Sequence, residues 1–227
     1  MRKTLLTAAV LAVAVAAPFA QAHQAGDLIL RAGAATVDPH EDSSALGLDR
    51  GPLAGATLGG KATLDSDTQL GLTFSYMLTD HVGLELVAAT PFQHEVGVKG
   101  LGGLDGKLAD IKHLPPTLLL QYYPLEPTSK LQPYVGAGVN YTWFFDEDLT
   151  SSRKDAGFNN LSLKNSWGLA GEVGFDYMLT ENLLFNASAW YMDIDTKATV
   201  NLEGVGRVKV DVDVDPWVYM VGLGYKF

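Results

Sequence analysis

The sequence lacks cysteine, is poor in basic residues and contains no long apolar run after its first 22 positions. Without cysteine, neither a disulfide nor a thiolate metal site can stabilise the chain. The 227 residues include 16 basic and 26 acidic side chains, and the net charge of −10 argues against a nucleic-acid partner, whose phosphates require a basic surface. A spanning helix needs roughly 20 apolar residues, so the sequence also argues against a helical membrane protein.

The first 22 residues have the pattern of a secretory signal peptide. Met1-Arg2-Lys3 gives a positive start, the stretch 5–17 is apolar except for Thr7, and Ala20-Gln21-Ala22 is a small-x-small cleavage pattern. We therefore predict an exported protein with a signal peptide over 1–22 and a single mature domain over 23–227.

Apolar residues alternate with polar or small residues in several segments, which is the period of a β-strand with two different faces. In the segment 69–78 the apolar set is Leu70, Leu72, Phe74, Tyr76 and Leu78. The alternation is equally clear in 135–145, 167–179 and 217–227, and it is fainter in 27–37, 82–92, 114–123 and 183–194. The eight segments predict an all-β fold, namely an eight-stranded antiparallel transmembrane β-barrel in a bacterial outer membrane.

The connections and the aromatic residues orient this barrel. Short turns (79–81, 124–131, 180–182) alternate with long polar segments (38–66, 93–112, 146–165, 196–212), and such barrels have short periplasmic turns and long extracellular loops. Outward aromatic residues near the short turns are Tyr76, Tyr122, Tyr177, Tyr225 and Phe227, and those near the long loops are Phe92, Trp143, Phe145, Trp167, Trp217 and Tyr219. Two aromatic belts are typical of two membrane interfaces.

The inward positions predict a lumen that is charged near the periplasm and apolar near the loops. The predicted floor contains Arg31, Glu85, Glu172, Asp176 and Lys226. Its carboxylates should pair with the two bases and close it, because eight strands leave room only for side chains; a conducted ion path is the alternative. The predicted channel lining, which would suit an apolar solute, is Val87, Leu119, Phe144, Trp190, Met192, Val218 and Met220.

Three prolines fall around one predicted hairpin. Pro91 ends one strand, and Pro115 and Pro116 begin the next. Proline donates no hydrogen bond to a strand ladder and is rare in central strands. The three residues are therefore candidates for a lateral gate in the wall. Alternatively, they lie just above the membrane, where the loop begins.

Three segments carry a resemblance to a known family: 114–124 (LPPTLLLQYYP), 133–141 (PYVGAGVNY) and 217–227 (WVYMVGLGYKF). With the rest of the mature chain, they resemble the OmpW/AlkL family of outer-membrane proteins, most closely its OprG-type members. The resemblance implies a hydrophobic channel that is closed toward the periplasm and opens sideways into the bilayer, with Pro115 and Pro116 beside the opening. It also implies uptake of small, mostly hydrophobic molecules.

The predicted function is therefore a passive channel for small, mainly hydrophobic solutes, with no cofactor and no resident metal. Expected partners are outer-membrane lipids, lipopolysaccharide and the barrel-assembly machinery, which would recognise the terminal Phe227. The alternative is a structural or adhesive barrel that binds lipopolysaccharide through divalent cations on acidic loops, where the candidate ligands are Glu41, Asp42, Asp146, Glu147, Asp148, Asp211, Asp213 and Asp215. An enzyme is not predicted, because Ser75 and Ser188 have no histidine at their depth to act as a base.

Overall fold

The structure is a computed structural model that describes residues 22–227. The predicted signal peptide, apart from Ala22, lies outside these residues. Within them, no helix is both long and apolar enough to cross a membrane. Residues 22–227 form one short helix, α1 (Ser151–Asp155), and one 3-10 turn (Gly102–Leu104). Their strands are β1 (Leu28–Asp38), β2 (Asp42–Ser43), β3 (Leu46–Arg50), β4 (Thr57–Gly59), β5 (Lys61–Leu64), β6 (Asp67–Met77), β7 (Val82–Ala89), β8 (Phe92–Lys99), β9 (Gly106–Leu114), β10 (Thr117–Tyr122), β11 (Leu131–Leu149), β12 (Phe158–Leu163), β13 (Ser166–Met178), β14 (Leu183–Met192), β15 (Asp195–Leu202), β16 (Gly206–Asp213) and β17 (Trp217–Lys226).

Eight strands close into an antiparallel barrel, which confirms the predicted fold class. The wall runs β1, β6, β7, β10, β11, β13, β14 and β17, and β17 pairs back with β1 from Ile29↔Lys226 to Asp38↔Trp217. Each wall strand is thus paired with the wall strand that follows it in the sequence. Close approach of β10 and β11 requires glycine at 138, where a Cβ would lie 1.9 Å from the carbonyl oxygen of Leu118.

The apolar face of the wall points outward. In β6 the side chains of Leu70, Phe74 and Tyr76 are exposed, whereas Thr73 and Ser75 are buried in the lumen. This is the reverse of a soluble protein, and it is the arrangement expected where lipid surrounds the barrel.

The four long extracellular connections contain ordered β-strands, which the sequence analysis did not predict. One sheet has the order β12, β15, β16, β3 and β4, while β9, β8 and β5 continue the sheet of β11. We call these strands the extension. In β16, Val208, Val210 and Val212 are buried inside it, and the charged residues between them form its outer surface. The extension therefore prolongs the lumen beyond the membrane.

Candidate functional site

Arg31 lies at the centre of the lower lumen and is completely buried. Its guanidinium donates to Asp176 Oδ1 from Nε at 2.9 Å, to Asp176 Oδ2 from Nη2 at 2.5 Å and to Glu85 Oε2 from Nη1 at 3.0 Å. Nη1 also reaches Ser75 Oγ at 2.7 Å, and Nη2 reaches Tyr123 Oη at 3.0 Å. Hydrogen bonds between ionised partners are roughly twice as strong as neutral ones. One base on β1 thus connects β6, β7, β13 and the turn after β10.

The other predicted floor residues make different contacts from Arg31. Lys226 Nζ lies 3.6 Å from Asp27 Oδ2, a carboxylate that the alternation pattern did not single out. We expected the floor carboxylates to pair with bases, but the hydrogen bond that Glu172 Oε2 accepts within the described part of the chain comes from Gln121 Nε2 at 3.0 Å. All the residues of the predicted floor are buried.

Three aromatic or heterocyclic side chains of the floor were missed by the sequence analysis. His23 Nε2 lies 2.9 Å from Asp176 Oδ2, and the His23 ring packs edge-on against Tyr123 at 5.0 Å. Tyr134 accepts a hydrogen bond on its hydroxyl from Asn186 Nδ2 at 3.0 Å. His23 and Tyr134 lie outside the strands predicted from alternation. Tyr123 has the phase of the inward residues of β10 and could have been found from it.

The predicted channel-lining residues lie together in the upper lumen. They belong to one apolar cluster with residues of the extension, and all are buried except Val87, which packs against that cluster. A cavity of about 50 Å³ lies above them, lined by Phe144, by Val214 and by extension side chains such as Leu64, Val96 and Val210. The lumen is therefore polar and hydrogen-bonded below and apolar above.

The wall is incompletely paired where the three prolines lie. Pairing of β7 with β10 ends at Val87↔Thr117, and the next pair above it, on β8 and β9, is Phe92↔His113. Residues 88–91 and 114–116 face each other across this gap, which we call the seam, with no ladder pair between them. Residues 114–116 remain bonded to β11 on their other side, where Tyr141 N donates to Pro116 O at 3.0 Å. The strand predicted over 82–92 is thus interrupted after Ala89.

Comparison with known proteins assigns this architecture to a family. The model of the OmpW family matches residues 24–227. The chain belongs to the OmpW family. Outer membrane protein W of Escherichia coli (strain K12) is 47% identical over 227 residues, which cover 99% of this chain and 100% of that protein. The crystal structure of the outer membrane protein OprG from Pseudomonas aeruginosa matches with 66% identity and a TM-score of 0.86, over 91% of this chain and 98% of that one.

A more distant relative in sequence than outer membrane protein W is the dibenzothiophene metabolism operon protein PahQ of Pseudomonas aeruginosa. It is 27% identical over 170 residues, 74% of this chain and 76% of that protein. The family assignment and the closed barrel together establish an outer-membrane protein that sits in the lipid bilayer.

In this OmpW-family chain, two buried histidines stack in the extension just above the seam. The ring centroids of His94 and His113 lie 4.9 Å apart with an interplanar angle of 23°, and His113 also stacks on Phe92 at 5.6 Å. Burial, followed by the neighbouring His94, lowers the pKa of His113 to about 3. Burial also lowers the pKa of His94, although Asp65 and Asp67 act in the opposite direction. Both imidazoles are therefore neutral at pH 7.

The low pKa of His113 predicts a loss of stability in acid. An opened extension would take up a proton at this residue below its ordinary pKa of about 6.5, whereas the closed extension does so only near pH 3. The stabilisation is thus fully present above about pH 6.5 and decreases as the pH falls toward 3. Hydrogen exchange of β8 and β9 amides, corrected for intrinsic rates, should show weaker protection at pH 5 than at pH 7. Equal pH sensitivity in His113→Phe would contradict this origin.

A group of carboxylates lies at the outer end of the wall. Ligand oxygens of Asp193, Asp195 and Asp215 lie within 4.8 Å of one another, and burial together with the neighbouring carboxyl groups raises the pKa of Asp195. The sequence analysis named Asp215 but grouped it with Asp211 and Asp213. Oxygen ligands of this kind suit calcium or magnesium, so this group is where the adhesive alternative would be tested.

Proposed function

We propose that this protein is a passive channel for small, mainly hydrophobic molecules in the outer membrane. A solute enters the apolar upper lumen through the extension, is stopped by the polar floor and leaves through the seam into the bilayer. The observation that carries the proposal is the position of the seam. Beside the seam, Thr117 Oγ1 lies 3.9 Å and Asn140 Nδ2 lies 3.7 Å from Sδ of Met192, a channel-lining residue. The gap in the wall is therefore at the level of the apolar lining.

The chemistry of the lining supports an apolar solute. A water-filled porin is lined with polar groups, whereas Leu119, Trp190, Met192 and Met220 are apolar or nearly so and are buried against one another. PahQ, a relative in the same comparison, is named for the metabolism of dibenzothiophene, an apolar aromatic compound. The floor supports lateral rather than axial exit, because an apolar solute would have to displace the hydrogen bonds of Arg31 to pass it.

Uptake into vesicles tests the proposal. The vesicles need an outer leaflet of lipopolysaccharide, because a plain phospholipid bilayer admits apolar solutes without a channel. Purified protein should accelerate the entry of dibenzothiophene and leave the entry of glucose at the protein-free rate. Acceleration of neither solute, together with calcium-dependent binding of lipopolysaccharide that is lost in Asp195→Asn, would favour the adhesive alternative.

A charge in the upper lumen should block this route. Phe144→Asp places a carboxylate among the apolar side chains, and a cost of 1.4 kcal/mol for passing it already slows entry about tenfold. We expect dibenzothiophene entry to fall by at least about that factor, with Phe144→Leu as the matched control that stays near the wild-type rate. Heat-modifiable migration in electrophoresis would show that both barrels are folded. Wild-type entry through folded Phe144→Asp would contradict passage through the upper lumen.

A further inference from the structure

The stacked histidines bring hydrogen-bonding groups into an otherwise apolar part of the lumen. They line a small cavity together with Leu64, Phe144, Val214 and Thr142, and its remaining lining residues are apolar. The hydroxyl proton of Thr142 is already engaged, because Oγ1 donates to Asn140 Oδ1 at 2.7 Å. The imidazoles are 1% and 5% exposed, so they are as buried as the aliphatic residues around them. The buried polar side-chain atoms of this cavity that have no hydrogen-bond partner among the described residues are therefore ring nitrogens of His94 and His113.

Each histidine has a buried ring nitrogen without a partner among the described residues. His94 Nδ1 lies 2.6 Å from the carbonyl oxygen of Asp65, and a carbonyl can only accept. The proton of neutral His94 is therefore on Nδ1, and Nε2 carries a lone pair that is buried and unpaired. His113 Nδ1 is likewise buried and unpaired. Native proteins leave few buried polar atoms in this state, and such atoms commonly bind an ordered water molecule or serve a function.

The charge of the pair selects the kind of group that fits. Because both rings are neutral at pH 7, they offer an anion no countercharge. A cation would lose its hydration in a cavity whose other walls are apolar, which is costly. A hydrocarbon could enter but would leave the His94 lone pair unpaired. A neutral hydroxyl group donates to that lone pair and brings no charge with it.

The shape of the cavity agrees with this chemistry. Its volume is about 10 Å³, which is the space needed for about one water-sized group. It adjoins the apolar cavity of about 50 Å³ described above, because Leu64, Phe144 and Val214 line both. The small cavity would thus hold the polar end of a solute, and the adjoining larger cavity would hold its apolar body.

We propose that His94 and His113 form a binding site for the hydroxyl group of neutral amphiphilic solutes, namely alcohols and phenols, whose apolar bodies lie in the adjoining cavity. The site deepens the proposed channel function, on which it rests, by naming the solute class that binds most tightly. A water molecule held there in the empty channel would be displaced by the hydroxyl of the solute.

Phenol and toluene test the site, because they differ only by a hydroxyl in place of a methyl group. Each is titrated into the full barrel in nanodiscs, and its dissociation constant is compared between wild type and His94→Phe, so that partition into lipid cancels. Loss of one hydrogen bond should weaken phenol binding by about twofold to tenfold and leave toluene binding unchanged. His40→Phe, a change at an exposed histidine outside the cavity, should affect neither.

A measurement on the wild type keeps the test independent of the variant's folding. In protein labelled with ¹⁵N-histidine, phenol should shift the Nε2 resonance of His94, and toluene should not. Equal effects of phenol and toluene on this resonance, or equal losses of both in folded His94→Phe, would overturn the hydroxyl site and leave the channel proposal standing. Failure of the channel itself would look different, since dibenzothiophene uptake would then be absent in wild type as well.

Discussion

Replacing Arg31 with methionine should lower the free energy of unfolding by about 3–5 kcal/mol, the cost of breaking a buried ion pair by removing one partner. The change leaves the carboxylates of Asp176 and Glu85 in a completely buried floor without the guanidinium that they share. The hydroxyls of Ser75 and Tyr123 lose an ionised donor as well. Urea unfolding of the protein in lipid vesicles, followed by tryptophan fluorescence, measures the effect.

Two controls separate the buried pair from ion pairs in general. Arg207→Met removes a partly exposed arginine that pairs with Asp49 on the extension, and it should lower the unfolding free energy far less than Arg31→Met does. Arg31→Met combined with Asp176→Leu and Glu85→Leu removes the stranded charges and should recover most of the loss, because apolar replacements of buried ion pairs are often neutral. If Arg31→Met alone were as mild as Arg207→Met, the floor would not depend on this arginine.

The wall of this barrel could be predicted from sequence because its two faces lie in different surroundings. Lipid outside and a packed lumen inside make the period-two pattern strong in strands such as β6, where Leu70, Phe74 and Tyr76 face outward. The same pattern is present in β16, yet we interpreted that segment as a polar loop. In the extension the charged face of each strand meets water, so Lys209 and Asp211, which alternate with the buried Val208, Val210 and Val212, made the segment look like a polar loop.

The contacts within the lumen could not be predicted. The alternation along a strand shows which residues point inward, but it shows neither how far along the barrel axis each one lies nor which residue it contacts. Arg31 and Asp176 are 145 residues apart and meet across the lumen, which no local pattern encodes. His94 falls in the polar segment 93–112, and His113 lies between that segment and the strand predicted over 114–123, so no pattern in the sequence placed them together. Hairpin register brings them together, since His94 pairs with Ile111 and its diagonal neighbour on the same face is His113.

The two adjacent prolines at the seam should differ in their effects on transport. Tyr141 N donates to Pro116 O, so the backbone polar groups of residue 116 face β11. Backbone groups alternate sides along a strand, and residue 115 should therefore face β7. Continuing the register of Val87↔Thr117 would place it opposite Ala89. Pro115→Val then restores an N–H that can bridge the seam, whereas Pro116→Val restores one on the side that is already paired.

Pro115→Val should consequently reduce dibenzothiophene uptake to the rate of protein-free vesicles while the barrel becomes no less stable. The added ladder bond contributes about 0.5–1.5 kcal/mol, and an unmet backbone group in hydrocarbon costs several kcal/mol, so stability and transport should change in opposite directions. Pro116→Val is the matched control and should transport as wild type does. Hydrogen exchange of the new amide at 115 shows whether the seam has closed. A protected amide at 115 together with wild-type uptake would exclude lateral exit, because the solute would then be leaving through a continuously bonded wall.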